Sequence, residues 1–189
     1  DAQSLSIPRS EAIALARQTL AARQVDLRPP WRALASVETQ PGENDRFIWQ
    51  TAGKDAYRAL MHEYLSPPHW RIRFVRFEGN VEDTAEEYQV AVSDARKVYR
   101  IRHVLPEGRA GNSVTESEAR ALAHARLKSE FALDPAVLKE VSAIPSKLKA
   151  RTDWIFTFTD PKPPGLPQGE KRISIQIAGD RVVDTYRFV

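Results

Sequence analysis

Cysteine is absent from this 189-residue chain, and that absence excludes disulfides, thiolate metal sites and cysteine nucleophiles together. A chain without cysteine is suited to an oxidising compartment. Long apolar runs are also missing, and no segment approaches the roughly 20 apolar residues of a membrane-spanning helix. The chain has no initiator methionine and no signal peptide, so we expect any targeting or membrane segment to lie outside this sequence.

The charge balance and the small number of glycines exclude further classes of function. The net charge is only +3, and basic and acidic residues alternate along most segments, so no nucleic-acid partner is predicted. The eight glycines mark turns, and no glycine-rich phosphate loop or nucleophile elbow is present. A zinc-protease helix needs a second histidine four positions after His62, and Ser66 stands there. We therefore predict no metal and no cofactor.

The chain does contain a repeat. A strand that begins with tryptophan, followed by a hairpin of alternating apolar and polar residues, occurs at 70–104 and again at 154–189. A helix precedes each copy. The motif Ser-Glu-Ala begins at Ser10 in the first helix and again at Ser117 in the second. Thr115 and Glu118 form the pattern of a capping box at the start of the second helix, and Ser6 is a candidate cap for the first.

The predicted fold is α+β, with two tandem cystatin-like or PepSY-like units, each a helix packed on an antiparallel sheet of about four strands. The first repeat covers 1–107 and contains an inserted helix near 53–65, and the second covers 108–189. A short strand is predicted over 46–50, and a strand or short helix over 137–144. The predicted buried residues are Leu15, Leu20, Trp70, Ile72, Phe74, Leu122, Leu127, Trp154, Phe156, Phe158, Ile173, Ile175 and Ile177.

Two groups of residues are candidates for binding. Aromatic side chains gather around the inserted helix, and core packing accounts for most of them; a groove beside that helix, at Trp49, Tyr57, Tyr64 and Trp70, is the other interpretation. The second group is a basic face, because strand alternation puts Arg71 with Arg73 and Arg100 with Arg102. This face would hold an anionic partner or lipid headgroups, unless acidic residues of neighbouring strands neutralise it.

Two diffuse patterns carry a resemblance to a known family. The first comprises Trp49, Leu60, Tyr64-Leu65, Pro68, Trp70, Phe77-Glu78-Gly79, Glu86-Glu87-Tyr88 and His103-Leu105-Pro106-Glu107; the second comprises Arg151-Thr-Asp-Trp154, Phe156, Arg172-Ile173, Gly179-Asp180, Val182 and Arg187. Together they resemble the extracytoplasmic region of bacterial CPBP (CAAX protease and bacteriocin-processing) intramembrane metalloproteases.

The resemblance implies a location and a role. It implies a non-catalytic domain on the periplasmic or outer side of a membrane, tethered there by a membrane domain of the same polypeptide. The family's catalytic glutamate pair is followed four positions later by arginine, whereas Ala91 stands at that distance from Glu87, so no catalytic residue carries over.

Three functional hypotheses follow. The first is a non-catalytic domain that binds a peptide or protein and regulates an attached membrane protease, with an exposed sheet edge accepting an added strand. The second is a small open-cone α+β enzyme that uses the groove near Trp49 and Tyr64, with His62, His69 or Asp55 as its acid or base. The third is a structural spacer.

Overall fold

The computed structural model describes residues 5–40, 42–76, 86–163 and 165–189, so most of the predicted acidic loop at 78–87 lies outside the described residues. Its elements form two four-stranded antiparallel sheets, β1-β2-β3-β4 and β5-β6-β7-β8, which confirms the predicted α+β class with a helix on each sheet. The elements are α1 (Arg9–Ala22), β1 (Arg32–Glu38), α2 (Glu43–Thr51), α3 (Gly53–Leu60), β2 (His69–Arg76), β3 (Glu86–Ser93), β4 (Val98–Val104), α4 (Glu116–Phe131), a 3-10 turn (Pro135–Val137), β5 (Glu140–Lys147), β6 (Thr152–Thr159), β7 (Arg172–Ala178) and β8 (Arg181–Phe188).

The chain divides into two compact units that do not follow its order. Unit 1 comprises Asp1–Pro41 and Ser66–Pro106, and unit 2 comprises Gly42–Leu65 and Glu107–Val189. The stretch from Gly42 to Leu65, which we call the helical insertion, therefore interrupts the first repeat in sequence and packs within unit 2.

Unit 1 has its core between α1 and the inner face of the first sheet. Ala12, Ala16 and Leu20 recur every four residues, which puts them on one side of α1, and each is fully buried. The two alanines let the helix approach the sheet closely, where Ile72 and Phe74 of β2 are also fully buried. Burial of such a side chain stabilises the fold by about 1.5–3 kcal/mol.

Unit 2 repeats this arrangement with a more aromatic sheet. Ala119, Ala123 and Leu127 are fully buried on α4, and they pack against β6 and β7. The sheet side of this core consists of Trp154, Phe156, Phe158, Ile173, Ile175 and Ile177. Of the predicted core residues, Leu15, Leu122 and Trp70 are only partly buried, and the others are buried.

Three local predictions are wrong. The stretch 46–50 is not a strand but part of α2, where Phe47 is 36% exposed, Trp49 is 53% exposed and Ile48 between them is fully buried. The alternation of aromatic residues resembles the pattern of a strand, although here it occurs at exposed positions of a helix. The inserted helix is present as α3 but ends at Leu60 rather than Leu65, because Met61 is extended with a ψ of 141° and His62 has a positive φ of 72°.

The third error concerns the start of α1. Pro8 is the N-cap residue there, and no side chain caps the helix. The Ser6 hydroxyl instead contacts the carboxylate of Asp94, which also accepts the amides of Ser6 and Ile7. The predicted capping box at Thr115 and Glu118 is present, and the ambiguous stretch near 137–144 resolves into a 3-10 turn followed by β5.

Candidate binding face of the first unit

The four arginines of the predicted basic face lie on the outer side of the first sheet. Trp70, Ile72 and Phe74 of β2 face α1, so Arg71 and Arg73 point the other way. The strand registers continue these positions across the sheet: Arg71 pairs through Ala91 with Arg100, and Arg73 pairs through Gln89 with Arg102. The sheet therefore carries two arginine rows side by side.

Acidic neighbours offset part of this positive charge. Arg71 Nη1 lies 2.8 Å from a carboxylate oxygen of Glu38, and Arg73 forms a bidentate pair with Glu87. The amide of Gln89 donates to Glu87 at 3.0 Å. Burial by itself would raise the pKa of Glu87, but the hydrogen bonds from Arg73 and Gln89 outweigh it and lower that pKa.

A concave pocket of about 230 Å³ opens on this outer face. Its lining combines three arginines with one carboxylate and several neutral donors, and Arg73 is not part of it. The lining residues are Glu38, Ser66, His69, Arg71, Gln89, Val90, Ala91, Tyr99, Arg100 and Arg102. The composition favours a ligand that carries negative charge.

His69 forms one wall of the pocket through two polar contacts. Its Nδ1 is 2.9 Å from the carbonyl oxygen of Pro67, and its Nε2 is 3.2 Å from the Glu38 carboxylate. Both partners are hydrogen-bond acceptors, so both contacts are hydrogen bonds only when the imidazole carries two protons. The protonated form adds a positive charge beside Arg71.

Tyr99 supplies a donor that sequence reasoning missed. Its ring packs edge-on against His69 at 5.3 Å, and its hydroxyl oxygen is buried without a hydrogen-bonding partner among the described residues. Burial raises the pKa of Tyr99, and the Ser66 hydroxyl opposes that shift without the geometry of a full hydrogen bond. The only sequence signal was a break in alternation: Val98 and Ile101 both pack on the core, although they are three residues apart.

The four aromatic residues of the predicted groove belong to different units. Trp70 lies in unit 1, where its indole donates to the Ile7 carbonyl at 2.9 Å. Trp49, Tyr57 and Tyr64 lie in the helical insertion of unit 2. Trp49 is 53% exposed and packs edge-on against Tyr57, whose hydroxyl donates to Asp45 at 3.2 Å.

Tyr64 belongs to a buried ionic cluster within unit 2, which the sequence did not predict. Its hydroxyl donates to Asp160, whose side chain is fully buried. The Arg187 guanidinium lies 5.5 Å from the centre of the Tyr64 ring and forms an ion pair with Glu63 at 2.5 Å, and the Lys171 ammonium lies 5.1 Å from the same ring centre. Burial, then the Asp160 contact, raises the pKa of Tyr64, and burial lowers the pKa of Lys171.

The remaining acid and base candidates are divided between the two units or held in ion pairs. The Glu86 carboxylate contacts Arg76 Nη2 at 2.5 Å and His103 Nε2 at 2.8 Å. His62 and Asp55 lie in the helical insertion, whereas His69 lies in unit 1. No group of three metal-ligating side chains occurs in the described ranges.

Comparisons with known proteins leave the family open. The chain matches no protein-family model, no curated protein and no solved structure. Within the described part of the chain, no helix is both long and apolar enough to cross a membrane. The resemblance to CPBP proteases therefore stays a prediction.

Proposed function

We propose that the chain is a non-catalytic binding domain that captures an extended, acidic segment of a peptide or protein along β1. An edge strand offers its outward backbone groups to an added strand, and side-chain contacts on its two faces provide specificity. The observation that carries the proposal is a difference between two equivalent edges, one complete and one interrupted by proline.

The edges β1 and β5 are equivalent by register. Each forms the end of its sheet and pairs with the strand that contains the repeated tryptophan. Val37 of β1 is the partner of Trp70, and Pro145 of β5 is the partner of Trp154. Val37 and Pro145 therefore occupy the same position in the two repeats.

Pro145 shows which way the backbone points. Proline has no N–H, and within sheets it is confined to positions whose nitrogen faces away from the paired strand. By equivalence the Val37 nitrogen faces away from β2, and so do those of Ala33 and Ala35, which are two and four residues earlier. The outward edge of β1 is thus complete over the stretch where β5 lacks a donor.

The side chains of β1 suit an extended partner of mixed apolar and acidic character. Leu34 is 46% exposed and Val37 is 44% exposed, and they point to opposite faces of the strand. Ser36, directly opposite Arg71, is small enough to leave that guanidinium accessible from the edge. Arg71 and Arg73 therefore favour acidic side chains on the outer face of an added strand.

The resemblance supports a setting for this activity. In that setting the domain lies outside the cytoplasm, tethered by a membrane domain of the same polypeptide, and the captured segment regulates or supplies an attached protease. Neither the edge nor the pocket requires catalysis by the domain itself.

The test is a binding screen with the purified chain against extended peptides that alternate apolar and acidic residues. We expect wild-type protein to select such peptides and the Val37→Pro variant to bind them about tenfold more weakly, since about one backbone hydrogen bond is lost. The second repeat tolerates proline at the equivalent position, so the variant should keep its fold.

The matched control is Val37→Thr, which keeps the backbone N–H and the β-branched shape. It should bind within about twofold of wild type, because its edge is unchanged. Equal affinities of the proline variant and wild type, with both folded by circular dichroism, would show that β1 is not the binding edge. A screen that returns no peptide would reject the proposed function.

A further inference from the structure

We infer that the pocket on the outer face of unit 1 binds an oxyanion, the carboxylate or phosphate group of a small ligand, between Arg71 and the Tyr99 hydroxyl. This site lies on the face of the sheet, whereas the proposed peptide site runs along its edge. Arg71 contributes to both sites, but the pocket does not require the backbone edge of β1 and the edge does not require the Tyr99 hydroxyl, so either proposal can fail alone.

The first support is the Tyr99 hydroxyl. Among the described residues this buried hydroxyl has no partner with full hydrogen-bond geometry, although the Ser66 hydroxyl lies near it, and a ligand oxygen that accepts from it would remove the cost of that missing bond. Because burial raises the pKa of Tyr99, the hydroxyl keeps its proton at neutral pH and acts as a donor. The group that it faces must accordingly accept a hydrogen bond.

The second support is the free capacity of Arg71. Its side chain is 44% exposed, and its ion pair with Glu38 uses Nη1 at 2.8 Å. A guanidinium has five N–H donors in a planar fork, so this contact leaves donors that can bind a planar carboxylate or a phosphate. Glu38 holds Arg71 from one side, and the other oxygen of the same carboxylate contacts His69 Nε2 at 3.2 Å.

The third support is that the fold does not require these residues. The second repeat builds the same sheet with Ile155 in place of Arg71, because both residues follow the repeated tryptophan. The β-bulge that brings Tyr99 to the pocket also recurs, between Gln176 and Ile177, and Val183 is its extra residue there. A sheet that folds with Ile155 and Val183 has no structural need for the arginine and the tyrosine.

The experiment is calorimetric titration of the full chain with two probes, inorganic phosphate and succinate, checked by NMR shifts of the Gln89 side-chain amide. We expect saturable binding of at least one probe in the millimolar range, and the probe that binds identifies the group. Tyr99→Phe keeps the ring and removes only the hydroxyl, so it should weaken binding about tenfold, as expected for a hydrogen bond to a charged group.

Arg73→Gln is the matched control for Arg71→Gln. Both arginines lie on β2 and point to the same face, but only Arg71 lines the pocket. Arg71→Gln should weaken binding at least tenfold, and Arg73→Gln no more than about twofold. Equal losses for the two variants, unchanged binding by Tyr99→Phe, or no saturable binding of either probe would each overturn the inference.

Discussion

Trp70 and Trp154 hold the start of the leading helix in their own units by the same hydrogen bond. The indole N–H of Trp70 donates to the Ile7 carbonyl at 2.9 Å, and that of Trp154 donates to the Val114 carbonyl at 3.3 Å. Each carbonyl lies two residues before the first residue of its helix. The bond therefore links the first core strand of each unit to the point where the chain enters the helix above it.

Replacing either tryptophan with phenylalanine should destabilise only the unit that contains it. The change removes one hydrogen bond and part of a buried ring, at a cost of about 1–3 kcal/mol. Native-state hydrogen exchange is the appropriate measurement, with α1 amides reporting on Trp70→Phe and α4 amides on Trp154→Phe. Equal loss of protection in both helices for either variant would contradict this local role.

Tyr64→Phe should weaken unit 2 and change its response to alkali. The variant removes a donor to the fully buried Asp160 carboxylate, at a cost of about 1–3 kcal/mol near neutral pH. Because the folded state raises the pKa of Tyr64, this tyrosine contributes stability below pH 10, the ordinary tyrosine pKa, and loses it as the pH rises further.

The measurement for Tyr64 is urea unfolding of both proteins from about pH 7 to 11. Lys171 contributes an opposite slope because burial lowers its pKa, but it is present in both proteins. The stability gap between wild type and Tyr64→Phe should therefore narrow above about pH 10. A gap that stays constant through this range would show that Tyr64 titrates normally in the folded protein.

Thr115→Ala should destabilise α4 by about 1 kcal/mol. The Thr115 hydroxyl accepts the Glu118 amide at 3.3 Å, and the Glu118 carboxylate accepts the Thr115 amide at 2.8 Å. Ser117→Ala is the control, since Ser117 lies exposed in the same turn and is not the cap residue. Thermal unfolding should separate the two variants; equal melting temperatures would contradict the capping role.

Pro145→Val should open the second sheet to added strands. The substitution restores the missing N–H at the position equivalent to Val37, beside Ile144, which is 56% exposed. We expect stronger self-association than that of wild type at the same concentration, because the substitution adds a second uninterrupted apolar edge to that of β1. Sedimentation velocity measures this. A monomeric variant would indicate that proline is not what protects β5.

The sequence predicted what periodicity and repetition determine. Alternation located β2 and β6, helical spacing located α1 and α4, and the repeat related the two units to each other. Alternation put Arg71 with Arg73 and Arg100 with Arg102, since side chains two apart on a strand share a face, and the strand register then aligned the two pairs on one side of the sheet. The strands that begin with Trp70 and Trp154 lie at equivalent places, because the same apolar pattern packs under α1 in unit 1 and under α4 in unit 2.

What the sequence missed depends on packing between distant segments. Alternating Phe47 and Trp49 suggested a strand, but the stretch is helical and buries Ile48 with Leu60, Tyr64 and Leu65 inside unit 2. Asp160 lies 96 residues from Tyr64 in the sequence, so no local pattern predicts their contact. Tyr99 was hidden by a β-bulge, which shifts side chains by one position and breaks the period on which the prediction relied.

Because of the helical insertion, residues 107–189 alone do not make up the whole of unit 2. Leu60, Tyr64 and Leu65 of the insertion pack with Leu166 and Val189, residues of the far end of the chain. A fragment that begins at Glu107 would contain the second sheet and α4. It would lack Tyr64, whose hydroxyl donates to the buried Asp160 carboxylate. Gene recombination or laboratory dissection that treats the halves as modules would therefore have to carry residues 42–65 along with 107–189.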